Sequence, residues 1–276
     1  MSATIERRLP AHPWRPTPAI GACVGLHGLA LLAAIAMPQA WPWALAAVLA
    51  DDLALGASGL LPRTHWIGRN MTRLPARSAA RREIALTFDD GPDPEVTPRL
   101  LDLLDELGCS ASFFCIGDRV RAHPGLVREI ARRGHAVENH SMTHGPTFAL
   151  QTLAGYRREV QLAQAAIAET VGSEARFFRA PMGFRNPLLD PVLYEAGLAL
   201  AAWTRRSFDT IAADPKVVAA RLTRRFAPGD ILLLHDGHAA RTASGVPVLL
   251  EALPRIIDAA RRLALRPVTL RQAVTS

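Results

Sequence analysis

The sequence predicts an α/β fold, a (β/α) barrel of parallel strands preceded by an N-terminal membrane-spanning helical segment. Three observations carry that expectation. From residue 83 onward, short apolar runs alternate strictly with helical patterns, which implies parallel pairing. The residues best suited to chemistry fall at or just beyond the C-terminal ends of those runs, where a βα barrel places its site. Residues 19–61 are dominated by long stretches with little or no charge.

Taken in order, residues 1–18 form a basic tail. Residues 20–37 (IGACVGLHGLALLAAIAM) contain no charged residue, and His27 is the main titratable group; the stretch is long enough to span a bilayer. Residues 41–61 are less clear-cut, because Asp51 and Asp52 fall in mid-segment, each costing about 2.5–3.5 kcal/mol at a helix centre. Pro38 to Trp43 between them reads as an interfacial turn, so 19–61 is expected to anchor the chain as a helical hairpin. A cleaved signal peptide is the competing reading; the apolar run is longer than a usual signal core and starts later. Residues 62–82 read as an Arg-rich linker to a domain over 83–276.

Charge is concentrated at the N-terminal side. Residues 1–82 hold nine arginines against Glu6, Asp51 and Asp52, or +6 of the total +7, which leaves the remaining 194 residues near neutral. The basic character therefore does not mark a nucleic-acid surface. Arg7, Arg8 and Arg15 precede the first apolar stretch, and Arg63, Arg69, Arg73, Arg77, Arg81 and Arg82 follow the second. Both flanks prefer the cytoplasm, so a hairpin in a bacterial inner membrane would leave the domain on the cytoplasmic face, with a periplasmic placement as the alternative. Cys23, Cys109 and Cys115 form neither a zinc ribbon nor a disulfide framework.

Within the domain, helices are expected at 97–107, 124–133, 153–170, 188–196, 215–226 and 247–263. Apolar runs at 84–86, 111–116, 135–138, 177–179, 198–203, 231–234 and 266–270 read as strands. No internal repeat is evident.

Two segments carry chemistry. Thr87-Phe88-Asp89-Asp90-Gly91-Pro92 ends the first strand with adjacent carboxylates, whose side chains should point to opposite faces by strand alternation. His140 and His144, spaced i and i+4, would share one face of a helical turn and reach one ion. Asp90, His140 and His144 then supply one oxygen and two nitrogens, leaving a position for water as in catalytic zinc; the donor set also admits Co, Ni or Mn. Asp89 stays available as a base. Taken singly, an Asp-Asp-Gly-Pro run is more often a turn, and His-x-x-x-His is common on helices.

Asp89-Asp90-Gly91-Pro92, His140-Ser141-x-x-His144, Arg179-Ala180-Pro181-Met182-Gly183 and Leu233-Leu234-His235 occur in this order. Together they resemble successive motifs of the polysaccharide deacetylase family, the NodB-homology carbohydrate esterases, over about residues 83–270. The resemblance implies a distorted (β/α) barrel that uses a divalent metal, most often zinc, to remove N-acetyl groups, occasionally O-acetyl groups, from sugars. It implies Asp89 as base toward metal-bound water, Asp90, His140 and His144 as metal ligands, Arg179 as the residue that orients Asp89, and His235 as the acid that protonates the leaving amine. The residues fit those roles: histidine titrates near neutral pH, and an arginine beside Asp89 favours its ionised form.

One motif departs from the family. After Trp203 the chain reads Thr204-Arg205-Arg206-Ser207-Phe208-Asp209-Thr210. Asp209 matches the family carboxylate that pairs with the acid histidine. Arg206 stands where an aspartate is usual, and Thr210 replaces a groove tryptophan. Loss of that aromatic platform weakens the case for a long free glycan; Arg205 and Arg206 would either meet a phosphate or face solvent.

The expected partner is an N-acylated carbohydrate. Two alternatives stand beside a sugar deacetylase: a deacetylase or deformylase of a lipid- or nucleotide-linked sugar, and a catalytically silent carbohydrate-binding or scaffold module. A serine hydrolase of the nucleophile-elbow type is excluded by the lack of Gly-x-Ser-x-Gly.

Overall fold

The computed structural model describes residues 13–275; Arg7, Arg8 and most of the basic tail lie outside them. Eight strands form one parallel sheet: β1 (Glu83–Gly91), β2 (Ser112–Cys115), β3 (Ala136–Asn139), β4 (Phe177–Phe178), β5 (Ala199–Leu200), β6 (Arg205–Arg206), β7 (Ile231–His235) and β8 (Arg266–Val268). Their order is β5-β4-β3-β2-β1-β7-β6, with β8 pairing β1 at Glu83–Ala85. The sheet curves as a barrel that is not closed by a ladder between β5 and β6 among the described residues. Part of that seam is covered by Met71, which bridges Ala201.

Alternation along the strands separates two packed layers. Ile84, Leu86 and Phe88 of β1, with Leu232 and Leu234 of β7, pack into the layer beneath the surrounding helices. Ala85, Ile231 and Leu233 face the inner layer with Phe114, Phe177, Trp203 and Val268. The same period carries Asp89 and His235, register partners at the strand ends, onto the inner face above that layer. Outer helices supply apolar stripes at helical spacing, as in Leu100, Leu101 and Leu104, or Leu249, Leu253, Ile256 and Ile257.

Several expected elements differ. The run 198–203 forms a ladder strand only at Ala199–Leu200, because Ala202 N–H turns to Met71 O and the carbonyls of Ala201 and Ala202 accept from Arg179. The chain turns at Thr269, and Leu270–Thr275 is helical rather than a continuation of the last strand. Residues 62–82, expected as a linker, pack against the sheet: Ile67 and Leu74 are buried, Met71 N–H donates to Leu200 O, and Leu74 N–H donates to Gly229 O. Their arginines serve the domain. Arg73 pairs with Asp230 at 3.0 Å, and Arg81 with Glu83 at 2.8 Å.

The N-terminal segment is a helical hairpin of α1 (Pro18–Ala36) and α2 (Trp41–Ser58), joined by a short turn at Pro38–Ala40. Pro18 follows an N-cap Thr17 that accepts from Ile20 N–H. Among the described residues, α1 is the one helix long and apolar enough to cross a membrane; α2 does not meet that measure. Asp52 faces α1, where His27 Nε2 lies 3.5 Å away. The foot of the hairpin rests on the domain: Trp14 Nε1–H donates to Asp190, and Arg185 N–H donates to Gly59 O.

Candidate active site

β1 does not simply alternate at its end. Its pairing with β2 slips between Asp89 and Gly91, a bulge with Asp90 at φ 70°. The bulge turns both carboxylates toward one cleft, which corrects the expectation that they diverge. Gly91 is required there, since a Cβ would lie 2.1 Å from Asp236 Oδ2.

His140 and His144 are also held differently from expectation: they leave the end of β3 on an irregular loop, not a helical turn. Ser141 and His144 take positive φ, stabilised from outside the loop. Glu159 accepts from the backbone N–H groups of Met142 and Thr143 and from the Thr143 hydroxyl, each at 3.0 Å. Asn139 Oδ1 accepts from Ser141 N–H, and Ser141 Oγ accepts from His144 N–H. No sequence signal marked Glu159, which sits within an ordinary amphipathic helix.

Asp90, His140 and His144 offer ligand atoms that all lie within 4.8 Å of one another. His140 Nε2 is 3.3 Å and His144 Nε2 3.2 Å from Asp90 Oδ1. His140 donates Nδ1–H to the Arg179 carbonyl at 2.8 Å, an acceptor that fixes the tautomer and leaves Nε2 facing the carboxylate. Burial pushes the Asp90 carboxyl up, but the His140 imidazole, with His235 and His144, outweighs it and holds the group well below the usual carboxylate range. Burial and then neighbouring His140 bring His144 down to about 4, so its ring is neutral at physiological pH. Asp90 Oδ1 is buried without a well-aligned hydrogen bond. A buried, ionised, unsatisfied oxygen facing two imidazole nitrogens fits a divalent cation with N and O donors.

Arg179 is fully buried beneath Asp89. Nη1–H donates to Asp89 Oδ1 at 2.6 Å and to Thr87 Oγ1 at 2.8 Å, while Nε–H and Nη2–H donate to the carbonyls of Ala201 and Ala202. Its guanidinium carbon stacks 4.0 Å from the centroid of Phe114. Burial lowers the Arg179 pKa, opposed by Asp89. With one oxygen thus committed, Asp89 keeps Oδ2 on the His140 side, 3.9 Å from Nε2.

Across the cleft, His235 Nδ1 pairs with Asp209 Oδ1 at 2.7 Å, and Asp209 Oδ2 accepts from His235 N–H at 2.9 Å. Burial lowers the His235 pKa, but Asp209, helped by Asp89 and Asp90, overcomes it and the net shift is upward. Asp236, next in the chain, is buried and pushed up to about 7 by burial; it accepts from Thr97 Oγ1 at 2.6 Å. His238 is mostly exposed, with Nδ1 3.6 Å from Asp90 Oδ2.

All seven residues singled out in the sequence thus meet around one cleft or directly beneath it. The cleft measures about 170 Å³ and is lined by Asp89, Asp90, His140, His144 and His235, with Met182, Trp203 and Arg206 along its wall. Arg205 is not part of it: Nε–H donates to Asp230 at 2.5 Å, and its other nitrogens donate to the carbonyls of Arg224 and Arg225. A larger hollow of about 790 Å³ between the N-terminal segment and the domain, lined by Trp14, Asn70 and Tyr194, holds none of these groups.

The Polysaccharide deacetylase family model matches residues 76–201. A peptidoglycan-N-acetylglucosamine deacetylase of Bacillus cereus is 35% identical over 175 residues, 63% of this chain and 81% of that protein. A chitooligosaccharide deacetylase of Sinorhizobium fredii is 34% identical over 165 residues, covering 59% and 76%. Among solved structures, a family 4 acetyl xylan esterase from Clostridium thermocellum in complex with a cobalt ion superposes with a TM-score of 0.62 at 29% identity, over 70% of this chain and 90% of that one.

Proposed function

Since the chain belongs to the polysaccharide deacetylase family, we propose that its cleft removes N-acetyl groups from a sugar by metal-dependent hydrolysis, with Asp89 as base and His235 as acid. The observation that carries the reading is the pairing of Asp89 with buried Arg179 at 2.6 Å, directly beside the Asp90–His140–His144 cluster. A base locked in place next to a cation-fitting donor set is the constellation that amide hydrolysis needs.

Asp90, His140 and His144 would hold the ion. When bound, a divalent metal there supplies Lewis acidity and lowers the pKa of water at neutral pH. Zinc suits two imidazoles and a carboxylate, and cobalt, nickel and manganese remain compatible. Arg179 holds Asp89 in place through one oxygen, so that its free oxygen takes the proton of the attacking water. Asp209 orients His235 and favours its charged form, so that it gives a proton to the departing nitrogen. Water adds across the C–N bond, and acetate and a free amine on the sugar are the products.

The relatives named for peptidoglycan and chitooligosaccharides support an N-acetylated aminosugar as substrate. The apolar helix α1 supports attachment to a membrane, and a hairpin in which α2 enters the bilayer with it would, by the arginines on both flanks, leave the domain on the cytoplasmic face. A reporter fused after Ser276 that is active only on the outer side would overturn that orientation. Acetate release from N-acetylglucosamine oligomers tests the chemistry: it should stop on chelation and return on adding zinc or cobalt. Release that survives exhaustive chelation contradicts it.

A further inference from the structure

One cationic side chain of the cleft has no part in this chemistry. Arg206 shares the cleft wall with Trp203 and Thr210, facing the space bounded by Asp89, His144 and His235. Its guanidinium lies 5.6 Å from the Trp203 ring centroid and 4.9 Å from that of Phe208, and its Nε is buried without a hydrogen-bond partner. Among the described residues no carboxylate pairs with it. Arg205, next to it, has all its hydrogen bonds made within the fold, so the two arginines are not equivalent. Aromatic faces hold a guanidinium in place without neutralising it. A buried N–H lacking an acceptor is costly, and a ligand that brings an anionic oxygen removes that cost. The planar fork of arginine suits carboxylate and phosphate.

The position of this wall is the second observation. Gly183, which also lines the cleft, is packed so closely that a Cβ would lie 2.6 Å from Trp203 and 2.7 Å from Pro62, just beyond the end of α2. Arg185 joins the same stretch, with N–H donating to Gly59 O at 3.1 Å and Nη2–H to Thr64 O at 2.8 Å. The stretch that leaves the apolar hairpin is therefore packed against the wall that carries Arg206. Where a membrane-held sugar is joined to its lipid through phosphate, that phosphate would arrive on this side.

We propose that Arg206 is the anion-recognising residue of the cleft and that the substrate is an N-acylated sugar bearing a phosphate. This rests on the deacetylase reading above and narrows its substrate class. Lipid-linked and soluble sugar phosphates present the same group, and the experiment separates them.

The metal-loaded full chain in detergent is assayed on three probes: methyl N-acetylglucosaminide, N-acetylglucosamine 1-phosphate, and N-acetylglucosaminyl phosphate on an isoprenoid lipid. The expected result is a kcat/KM about 10- to 100-fold higher for the phosphorylated sugars than for the neutral one, the range of a charge-assisted hydrogen bond. Arg206→Met should bring that ratio toward one, and Arg206→Lys should restore part of it. A lipid probe that exceeds the soluble phosphate assigns the source to the membrane; equal rates assign it to free sugar phosphates. Calorimetry on Asp89→Asn gives the same comparison without turnover. Phosphate-selective binding that depends on Arg206, without hydrolysis in the wild type, upholds the receptor and sinks the deacetylase reading. A wild-type ratio near one, or a preference that Arg206→Met leaves intact, overturns the proposal.

Discussion

Arg179 and His140 are joined through the backbone: the Arg179 carbonyl accepts from His140 Nδ1–H at 2.8 Å, while the Arg179 side chain grips Asp89 at 2.6 Å. One residue at the end of β4 thereby fixes both a candidate ligand and the candidate base. Arg179→Met keeps the carbonyl but leaves Asp89 without its buried partner. It should lower kcat at least about 100-fold, and should cost about 3 kcal/mol of stability, the penalty for breaking a buried pair. Retained metal content would show that the His140 contact is intact; denaturant melts and acetate release check the rest.

The His235–Asp209 pair predicts a pH effect with a definite sign. Asp209 raises the His235 pKa against burial, which keeps the acid form present to higher pH. Asp209→Asn removes the charge and leaves the burial, so the alkaline limb of kcat/KM should move to lower pH by about one unit or more. An alkaline limb that stays in place would assign the acid to another group.

Glu159 holds the loop that carries both histidines without reaching the cleft itself. Glu159→Ala should weaken metal binding about 10- to 100-fold, as loss of an outer support does. Competition with a chelator measures this; unchanged affinity would mean that the loop holds its shape through Asn139 and Ser141 alone.

Gly91→Ala would push a methyl group into Asp236 Oδ2. The expected cost is about 1–3 kcal/mol with a shifted Asp90, read as a lower melting temperature and reduced metal affinity together.

Much of this site was legible because its parts fall at strand ends, where composition and order mark them. Asp89, Arg179 and His235 fall at the ends of apolar runs, and it was the ordered resemblance of the four motifs that gave them their expected roles. What stayed hidden depends on distant partners. The bulge at Asp90 lies where Gly91 passes close to Asp236, and the histidine loop is held by Glu159. The expected strand 198–203 is shortened because Arg179 takes its carbonyls. Residues 62–82 read as an Arg-rich linker whose arginines flank a membrane segment, yet Arg73 and Arg81 answer carboxylates of the domain.

The most direct test compares Asp89→Asn with Asp90→Asn, measuring bound metal and acetate release in the same preparations. The account predicts that Asp89→Asn keeps its metal and loses activity, whereas Asp90→Asn loses both. An Asp89→Asn protein that hydrolyses N-acetylated sugar at the wild-type rate would contradict the assignment of Asp89 as the base.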